Sequence, residues 1–228
     1  FTTLVFTVIF GNVARLPTDG MPSFLFYMAG NIAWQYFSSC LIQTSNTFVQ
    51  NSKLFGKVYF PRMVMPVATV MTKLIDFLVQ FALFLVFLVI YAVKPGSPVA
   101  PNWQLILLTP VMLLQMAMLG LGFGIIVSAL TTKYRDLAML VSFGVHLWMY
   151  ATPVAYSSSL IYQNYPALAK ILMLNPMTPV IELFRSAYLG VEMTCAPYIW
   201  ISWVTTFAVL FVGIVLFTRI ERTFMDTV

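Results

Sequence analysis

Long apolar runs, separated by short polar connections, limit the environments in which this chain can fold. Residues 24–44 contain no formal charge, and residues 64–93 contain only Lys73 and Asp76. Hydrophobic residues make up 61% of the sequence, against roughly 45–50% in a soluble domain. Runs of about 20 apolar residues suit helices that cross a bilayer, where every backbone polar group must be satisfied within the segment. The sequence therefore predicts an all-α integral membrane protein.

Six transmembrane helices are predicted within a single transmembrane domain that covers residues 1–228. The spans are expected at about residues 1–11, 24–44, 64–93, 103–130, 137–154 and 198–217. The first run is shorter than a span requires, so we expect it to be truncated at its N-terminal side, with upstream residues missing. The proline-interrupted stretch 157–192 predicts two short re-entrant or interfacial helices between the fifth and sixth spans, with a break at Asn175, Pro176 and Pro179.

The distribution of basic residues predicts which side of the membrane each loop faces. Lys53, Lys57 and Arg62 lie together in the polar stretch Gln50–Pro66. Loops on that side carry seven basic residues and loops on the opposite side carry four. The excess favours a cytoplasmic location for this stretch and for the C-terminus.

Polar residues inside the apolar runs need partners other than lipid. Asn31, Gln35 and Gln43 are expected to face protein or a water-filled path, with helix-to-helix hydrogen bonding as the simpler interpretation. His146 has no acidic residue one turn away, which favours a hydrogen-bonded core or pore residue over a proton relay.

Two local spacings predict helix contacts. Lys73 and Asp76 are three residues apart and can form an ion pair on one helix face. Gly120 and Gly124 form a small-xxx-small face for close helix packing, and a phosphate-binding glycine loop is the less favoured interpretation.

Neither a catalytic nor a metal-binding pattern is found in the sequence. Cys40 and Cys195 have no metal-ligand spacing, and the acidic residues are scattered. Gly56-Lys57 is followed by Val58 where a P-loop needs Ser or Thr, so the chain is not expected to bind ATP itself.

Several motifs, taken as a set and in order, resemble one family. They are Lys57–Pro66 (KVYFPRMVMP), Tyr134-Arg135-Asp136, Thr152-Pro153-Val154, Asn175-Pro176 and 221–226 (ERTFMD). Together they resemble the ABC-2 family of polysaccharide-export permeases, whose members export O-antigen, capsule or teichoic acid chains. The resemblance covers nearly the whole chain.

The resemblance implies a transport subunit without enzymatic activity of its own. It implies a homodimer in the bacterial inner (cytoplasmic) membrane, paired with two ABC ATPase subunits that hold ATP and Mg. A lipid-linked polysaccharide would pass between the two copies, and no nucleic acid partner is expected. The chain itself would carry no cofactor.

The resemblance also implies a coupling helix that docks on the ATPase, in the loop between the second and third spans. The corresponding residues are Gln50, Asn51, Lys53, Leu54, Phe55, Lys57, Tyr59, Phe60, Pro61 and Arg62. An alternative interpretation of the same stretch is a positively charged membrane anchor with interfacial aromatic residues, and the two roles are compatible.

Glycans present apolar C–H faces and many hydroxyl groups, so a glycan channel would suit aromatic rings with scattered hydrogen-bonding groups. The channel candidates are Phe1, Phe6, Phe10, Trp34, Tyr36, Phe37, His146, Trp148 and Tyr150. Ordinary packing is the alternative role for each ring. Lys57, Arg62 and Arg135 are candidates for the pyrophosphate of a lipid carrier, and for Arg135 a helix-end pair with Asp136 is an equal alternative.

On the opposite side, one set of residues resembles the outer gate of the family. This set consists of Thr152, Pro153, Val154, Tyr156, Asn175 and Pro176. Nearby, Arg185 is expected to pair with Glu182, one turn earlier on the same helix.

Three other functions remain as alternatives at this point. An ABC-2 exporter of lipid or drug substrates would share the architecture. A membrane-embedded lipid-modifying enzyme would need clustered acids, bases or metal ligands at one interface, and a passive channel would need no ATPase.

Overall fold

The computed structural model describes residues 1–55, 63–133 and 137–225, without the side chains of 48–55, 132–133, 138 and 219–225. The described residues form helices and connecting turns and contain no β-strand. The helices are α1 (Thr2–Phe6), which continues as a π-helix over Thr7–Val13, α2 (Ser23–Phe55), α3 (Val64–Ala92), α4 (Trp103–Ile106), α5 (Thr109–Lys133), α6 (Leu137–Tyr150), α7 (Ser158–Asn164), α8 (Pro166–Leu174), α9 (Met177–Leu189) and α10 (Ile199–Met225), the last preceded by a short 3-10 turn, Ala196–Tyr198. The all-helical prediction is confirmed for this part of the chain.

Helix α2 lies at the centre of the bundle and packs against α3, α5 and α9. It extends to Phe55, well beyond the span predicted at 24–44. Asn31 is buried and donates to the hydroxyl of Thr3 at 3.4 Å, which is the expected helix-to-helix hydrogen bond. Gln35 is exposed and bonds to Ser39 on its own helix.

Within the described residues, α3, α5 and α10 contain the stretches that are long and apolar enough to cross a membrane. A fourth candidate is the pair of α8 and α9, which are bent by 94° relative to each other. In the apolar windows of α3 and α10 only 17% of residues are buried, against 50% in α5. Helices α3 and α10 therefore present most of their apolar surface outward, as lipid contact requires, while α5 belongs to the interior.

Glycine residues bring α5 close to two neighbours. A Cβ atom added to Gly120 would lie 2.6 Å from the Cβ of Cys40, and one added to Gly124 would lie 2.5 Å from the Cβ of Thr44. The predicted small-residue packing face is confirmed and contacts α2. On the opposite face, Gly122 and Gly213 form the close crossing of α5 and α10.

Two other predicted segments differ from the structure. The span expected at 103–130 is broken between α4 and α5, at residues 107–108, just before Pro110. The stretch 157–192 contains three helices, where two were predicted. Its break lies at Asn175 and Pro176, while Pro179 lies in the first turn of α9, where a missing N–H group costs no helical hydrogen bond.

The predicted ion pair of Lys73 and Asp76 is confirmed, with 2.8 Å between the ammonium and the carboxylate.

Candidate functional site at the turn after helix α6

The turn of residues 151–156 follows α6 and lies largely inside the protein. Thr152, Pro153 and Val154 are buried. Pro153 has no N–H group to donate, so the helical hydrogen-bond pattern stops before it and nearby carbonyl groups lose their helical partners. Because buried carbonyls need donors, the turn depends on side chains from other helices.

Arg185 of α9 supplies these donors. Its Nη1 atom donates to the carbonyls of Pro153 at 2.6 Å and Tyr156 at 3.3 Å, and Nη2 donates to Val154 at 2.6 Å. Its Nε atom donates to the carbonyl of Phe26 on α2, whose ring centre lies 3.7 Å from the guanidinium carbon. The residue is only 2% exposed. Carbonyl dipoles and an aromatic face thus replace the water that the charge has lost.

Gly30 of α2 leaves the space that the guanidinium occupies. A Cβ atom at this position would lie 2.5 Å from Nη2 of Arg185 and 3.0 Å from the carbonyl oxygen of Val154. Both distances are shorter than van der Waals contact allows, so α2, α9 and the turn meet at a point that only glycine fits.

Glu182 and Arg185 lie close enough for their charges to attract each other, as their spacing predicted, but the guanidinium donates its side-chain hydrogen bonds to backbone carbonyls instead. The carboxylate of Glu182 accepts from the hydroxyl of Ser158 and from the backbone N–H of Cys195 at 2.9 Å. Donors from α7 and from the loop before α10 therefore satisfy the carboxylate. Burial raises the pKa of the Cys195 thiol, and the charge of Glu182 raises it further.

The outer-gate candidates come together in space. The amide nitrogen of Asn175 donates to the hydroxyl of Thr152 at 2.8 Å and to the carbonyl of Ala151 at 3.3 Å. The hydroxyl of Thr152 donates in turn to the carbonyl of Trp148 at 2.9 Å. The bend between α8 and α9 is thereby bonded to the end of α6.

A second buried chain of hydrogen bonds reaches the same bend from α5 and α10. Gln115 donates to Ser202 at 2.7 Å, and Ser202 donates to the carbonyl of Pro176 at 2.6 Å. Sequence reasoning missed both side chains, although a glutamine within an apolar run is itself a signal of a polar contact.

The connection between α1 and α2 also contacts this region. The carboxylate of Asp19 accepts from the hydroxyls of Ser157 at 2.5 Å and Ser159 at 2.7 Å. These bonds hold the start of α7, and no sequence pattern indicated them.

A cavity of about 500 Å³ opens beside the turn. Its walls combine apolar side chains with a few polar and aromatic groups: Trp148, Ala151, Tyr156, Ile161, Leu168, Ile171, Leu172, Leu174, Asn175 and Pro176. The mixture suits a ligand that has both apolar faces and hydroxyl groups.

The channel candidates do not form one surface in the single chain. Trp34, Phe37 and Trp148 form a cluster with ring centres 5.2–5.9 Å apart, and Phe123 joins it at 5.2 Å from Trp148. Tyr36 points elsewhere, since its ring lies 5.3 Å from Phe77 of α3.

The remaining candidates lie on α1 and α6. Phe6 and Phe10 form an edge-to-face pair at 5.2 Å, and Phe1 is fully exposed. His146 and Tyr150 are exposed, and a ring nitrogen of His146 lies 2.7 Å from the carbonyl of Ser142. His146 is thus hydrogen-bonded, as predicted, but it is not a core residue of the single chain.

The coupling and pyrophosphate candidates fall largely outside the described residues. The backbone of 50–55 belongs to α2, whereas Lys57, Tyr59, Phe60, Pro61, Arg62 and Arg135 lie in the segments that the structure does not describe. Their roles stay predictions. Among the described residues, no group of three or more His, Cys, Asp or Glu side chains is placed to hold a metal ion.

In the part of the chain that the structure describes, a helical bundle with long apolar helices whose faces point outward is the architecture of a multi-pass membrane protein. Comparison with known families agrees with this class. A family model described as ABC-2 type transporter matches residues 1–189, and the chain belongs to this family.

Similar proteins are permeases of export systems. Two proteins of Klebsiella pneumoniae named "O-antigen export system permease protein RfbA" are 29% and 27% identical to this chain, each over 98% of it and 82% of their own length. A protein of the same name from Myxococcus xanthus is 31% identical over 81% of the chain and 67% of its own length.

Proposed function

We propose that this chain is the permease subunit of an ABC transporter that exports a lipid-linked polysaccharide from the cytoplasm across the bacterial inner membrane. The observation that carries the proposal is the similarity to O-antigen export permeases over 98% of the chain. ATP hydrolysis takes place in a separate ATPase subunit in this proposal.

A six-span topology is part of the proposal. Helix α6 has 14 residues and is about 21 Å long at 1.5 Å per residue, less than the roughly 30 Å of a hydrocarbon core. The turn of residues 151–156 would complete that crossing. Helix α2 would cross as the shielded central helix, with Asn31 inside the bundle and Gln35 on an exposed face. The bent pair of α8 and α9, with α7, would lie at the outer surface.

Exposure on α6 supports a homodimer. Phe143 is 63% exposed and Leu147 is 54% exposed, and His146 and Tyr150 lie exposed on the same helix. If His146 faced lipid at membrane depth, Ser142 would pair one ring nitrogen and the other would have no partner, at considerable cost. A second copy facing α6 across a water-filled path would satisfy it, and would place the aromatic residues of α1 and α6 along that path.

The cytoplasmic end of α2 carries the proposed coupling to the ATPase. Helix α2 continues as far as Phe55, so a rigid movement at Gln50–Arg62 would pass directly into the central helix of the bundle. In the same proposal, Lys57, Arg62 and Arg135 attract the carrier pyrophosphate at the cytoplasmic mouth.

Deletion of the gene in its own organism tests the export function. We expect lipid-linked glycan to accumulate on the cytoplasmic side and surface glycan to disappear, and we expect the intact gene to reverse both effects. Unchanged surface glycan in the deletion strain would refute the proposal. Loss of phospholipid or drug efflux with normal glycan export would instead indicate an ABC-2 exporter of those substrates.

A further inference from the structure

Helix α2 is buried along most of its length, and the part of its surface that stays open is polar. Gln35 is exposed, and Ser39 and Asn46 are half-buried, among neighbours that are mostly buried. These three residues follow one another at intervals of four and seven positions, so they lie on one face of the helix. Within the described residues, the amide of Gln35 reaches only the hydroxyl of Ser39, at 3.4 Å. The open face of α2 therefore has hydrogen-bonding capacity to spare.

A second polar line runs along α3. Lys73, Asp76 and Gln80 follow one another at intervals of three and four positions and share a helix face. The side chain of Lys73 is 24% exposed and that of its partner Asp76 is 57% exposed. The outward surface beside this line is aliphatic, since Ile75 is 63% and Val79 is 68% exposed. The exposed surface of α3 is thus polar on one side and aliphatic on the next.

The two polar lines lie on the same side of the contact between α2 and α3. The helices are antiparallel, because the ring of Tyr36 lies 5.3 Å from that of Phe77, while Thr47 lies 3.4 Å from Thr69. Successive residues of a helix are about 100° apart, and a two-fold axis perpendicular to both helices relates an antiparallel pair. The residue that precedes each contact residue therefore points to the same side of the pair. These preceding residues are Gln35, Asn46 and Asp76.

Together the two lines form one polar face, which consists of Gln35, Ser39, Asn46, Lys73, Asp76 and Gln80. In the proposed topology this polar face lies in the inner half of the membrane. At the outer end of α3, the ammonium of Lys94 lies 4.8 Å from the ring centre of Tyr91, and both residue types are typical of the membrane interface. Asp76 precedes Tyr91 by 15 residues, or about 22 Å of helix, in a hydrocarbon core of roughly 30 Å. Lipid tails cannot satisfy amides and an exposed carboxylate at that depth.

We propose that the polar face is a lateral binding surface for the hydroxyl-rich headgroup of a lipid in the inner leaflet, whose tail stays against the aliphatic side of α3. The inference rests on the proposed export function, under which this lipid is the lipid-linked glycan. The amides of Gln35 and Gln80 donate and accept hydrogen bonds, as sugar hydroxyls do, and the carboxylate of Asp76 accepts from hydroxyls. The pair of Lys73 and Asp76 has no net charge, so the polar face favours neutral hydroxyl groups over a phosphate alone.

Cysteine accessibility tests whether the polar face is open to water. Single cysteines replace Gln35, Gln80 or the control Val79 in the full-length protein, with Cys40 and Cys195 changed to alanine, in phosphatidylcholine vesicles. A charged methanethiosulfonate, present on both sides of the membrane, reacts with a hydrated thiolate and not with a thiol in lipid. We expect Q35C and Q80C to react about tenfold faster than V79C. Rates as slow as that of V79C at both positions would overturn the inference, because lipid or protein would then cover the polar face.

The composition of the vesicles identifies the ligand. The labelling rate of Q80C is compared in phosphatidylcholine alone, with added diglucosyldiacylglycerol and with added phosphatidic acid. We expect the glycolipid to slow Q80C several-fold and to leave V79C unchanged, because the bound sugar excludes the reagent from the polar face. Equal slowing by phosphatidic acid would overturn the preference for sugar hydroxyls. No slowing by either lipid would overturn the binding surface.

The role of the ion pair is tested in the same assay. Replacing both partners, K73L/D76L, removes the charged groups from the polar face, whereas I75L changes the aliphatic side and is the matched control. We expect the glycolipid to protect Q80C in the I75L background and to lose this effect in K73L/D76L. Equal protection in both backgrounds would overturn the role of the pair. The assay uses neither ATP nor an ATPase, so its failure would leave the result of the deletion experiment on export unaffected.

Discussion

Replacing Gly30 by alanine would disturb the contact of α2, α9 and the turn through one added methyl group. The new Cβ would lie 2.5 Å from Nη2 of Arg185 and 3.0 Å from the carbonyl oxygen of Val154. Either the guanidinium or the turn must move. The nearer contact is the one to the guanidinium, and its displacement lengthens the 2.6 Å bond to Val154.

The cost can be worked from these contacts. Overpacking in a well-packed interior costs about 1–3 kcal/mol, and a weakened hydrogen bond from a charged donor costs about 1.5–3 kcal/mol. Replacing glycine by alanine inside a helix stabilises the helix by about 0.5–1 kcal/mol, which offsets part of this loss. The expected net loss is about 1.5–5.5 kcal/mol, which corresponds to a fall in Tm of about 3–22 °C for a chain of this size.

Thermal unfolding of the detergent-solubilised protein, followed by tryptophan fluorescence, measures this loss. Gly144→Ala is the matched control, because no atom lies within 4 Å of a Cβ added there. A second comparison isolates the guanidinium, since Gly30→Ala should cost less in an Arg185→Met background, where the group is absent. Equal Tm values for the Gly30 and Gly144 variants would refute the reasoning.

Three further predictions concern helix packing, the buried thiol and coupling. Gly120→Ala and Gly124→Ala should each lower the free energy of unfolding by about 1–3 kcal/mol and so lower Tm. The double variant should lose less than the sum of the two losses, because both substitutions push α5 away from α2. Tm values equal to that of the Gly144→Ala control would contradict this. Maleimide labelling of Cys195, in a background without the other cysteine, should stay slow from pH 7 to 9, because the raised thiol pKa keeps it protonated; labelling that accelerates with pH as it does in the denatured protein would contradict its burial. Joint replacement of Phe55 and Tyr59 by alanine should abolish ATPase assembly or export while membrane insertion is retained, as pull-down and glycan export assays would show; normal export would exclude the coupling role.

Much of the helical architecture could be predicted because it depends on local properties of the sequence. Apolar run length predicted helices of the type found in α3 and α10, since a bilayer imposes that length on any spanning helix. The spacing of Lys73 and Asp76, and that of Gly120 and Gly124, predicted contacts correctly because residues three or four apart share a helix face. Motif resemblance placed Thr152 and Asn175 in one functional set, and in the structure they are bonded.

The same local rule described Arg185 only in part, because its charge interacts with that of Glu182 while its hydrogen bonds go elsewhere. Its three-residue spacing from Glu182 predicted an ion pair, but residues distant in sequence supplied better partners for both groups. Phe26 and the turn at 153–156 surround the guanidinium, while Ser158 and Cys195 bind the carboxylate. A buried charge is stabilised by every acceptor that the fold brings near it, and spacing along one helix says nothing about those.

The amino-acid sequence by itself determined that this protein is helical and enters a membrane, because its apolar runs have no other stable environment. The sequence also indicated the family, through motifs distributed along the chain. Only the tertiary structure decided which groups meet. Gly30 leaves space for the guanidinium of Arg185, Asn175 donates a hydrogen bond to Thr152, and Ser202 donates one to the carbonyl of Pro176. Those contacts join helices that are far apart in sequence, and their geometry depends on how the helices pack around α2 rather than on any local pattern.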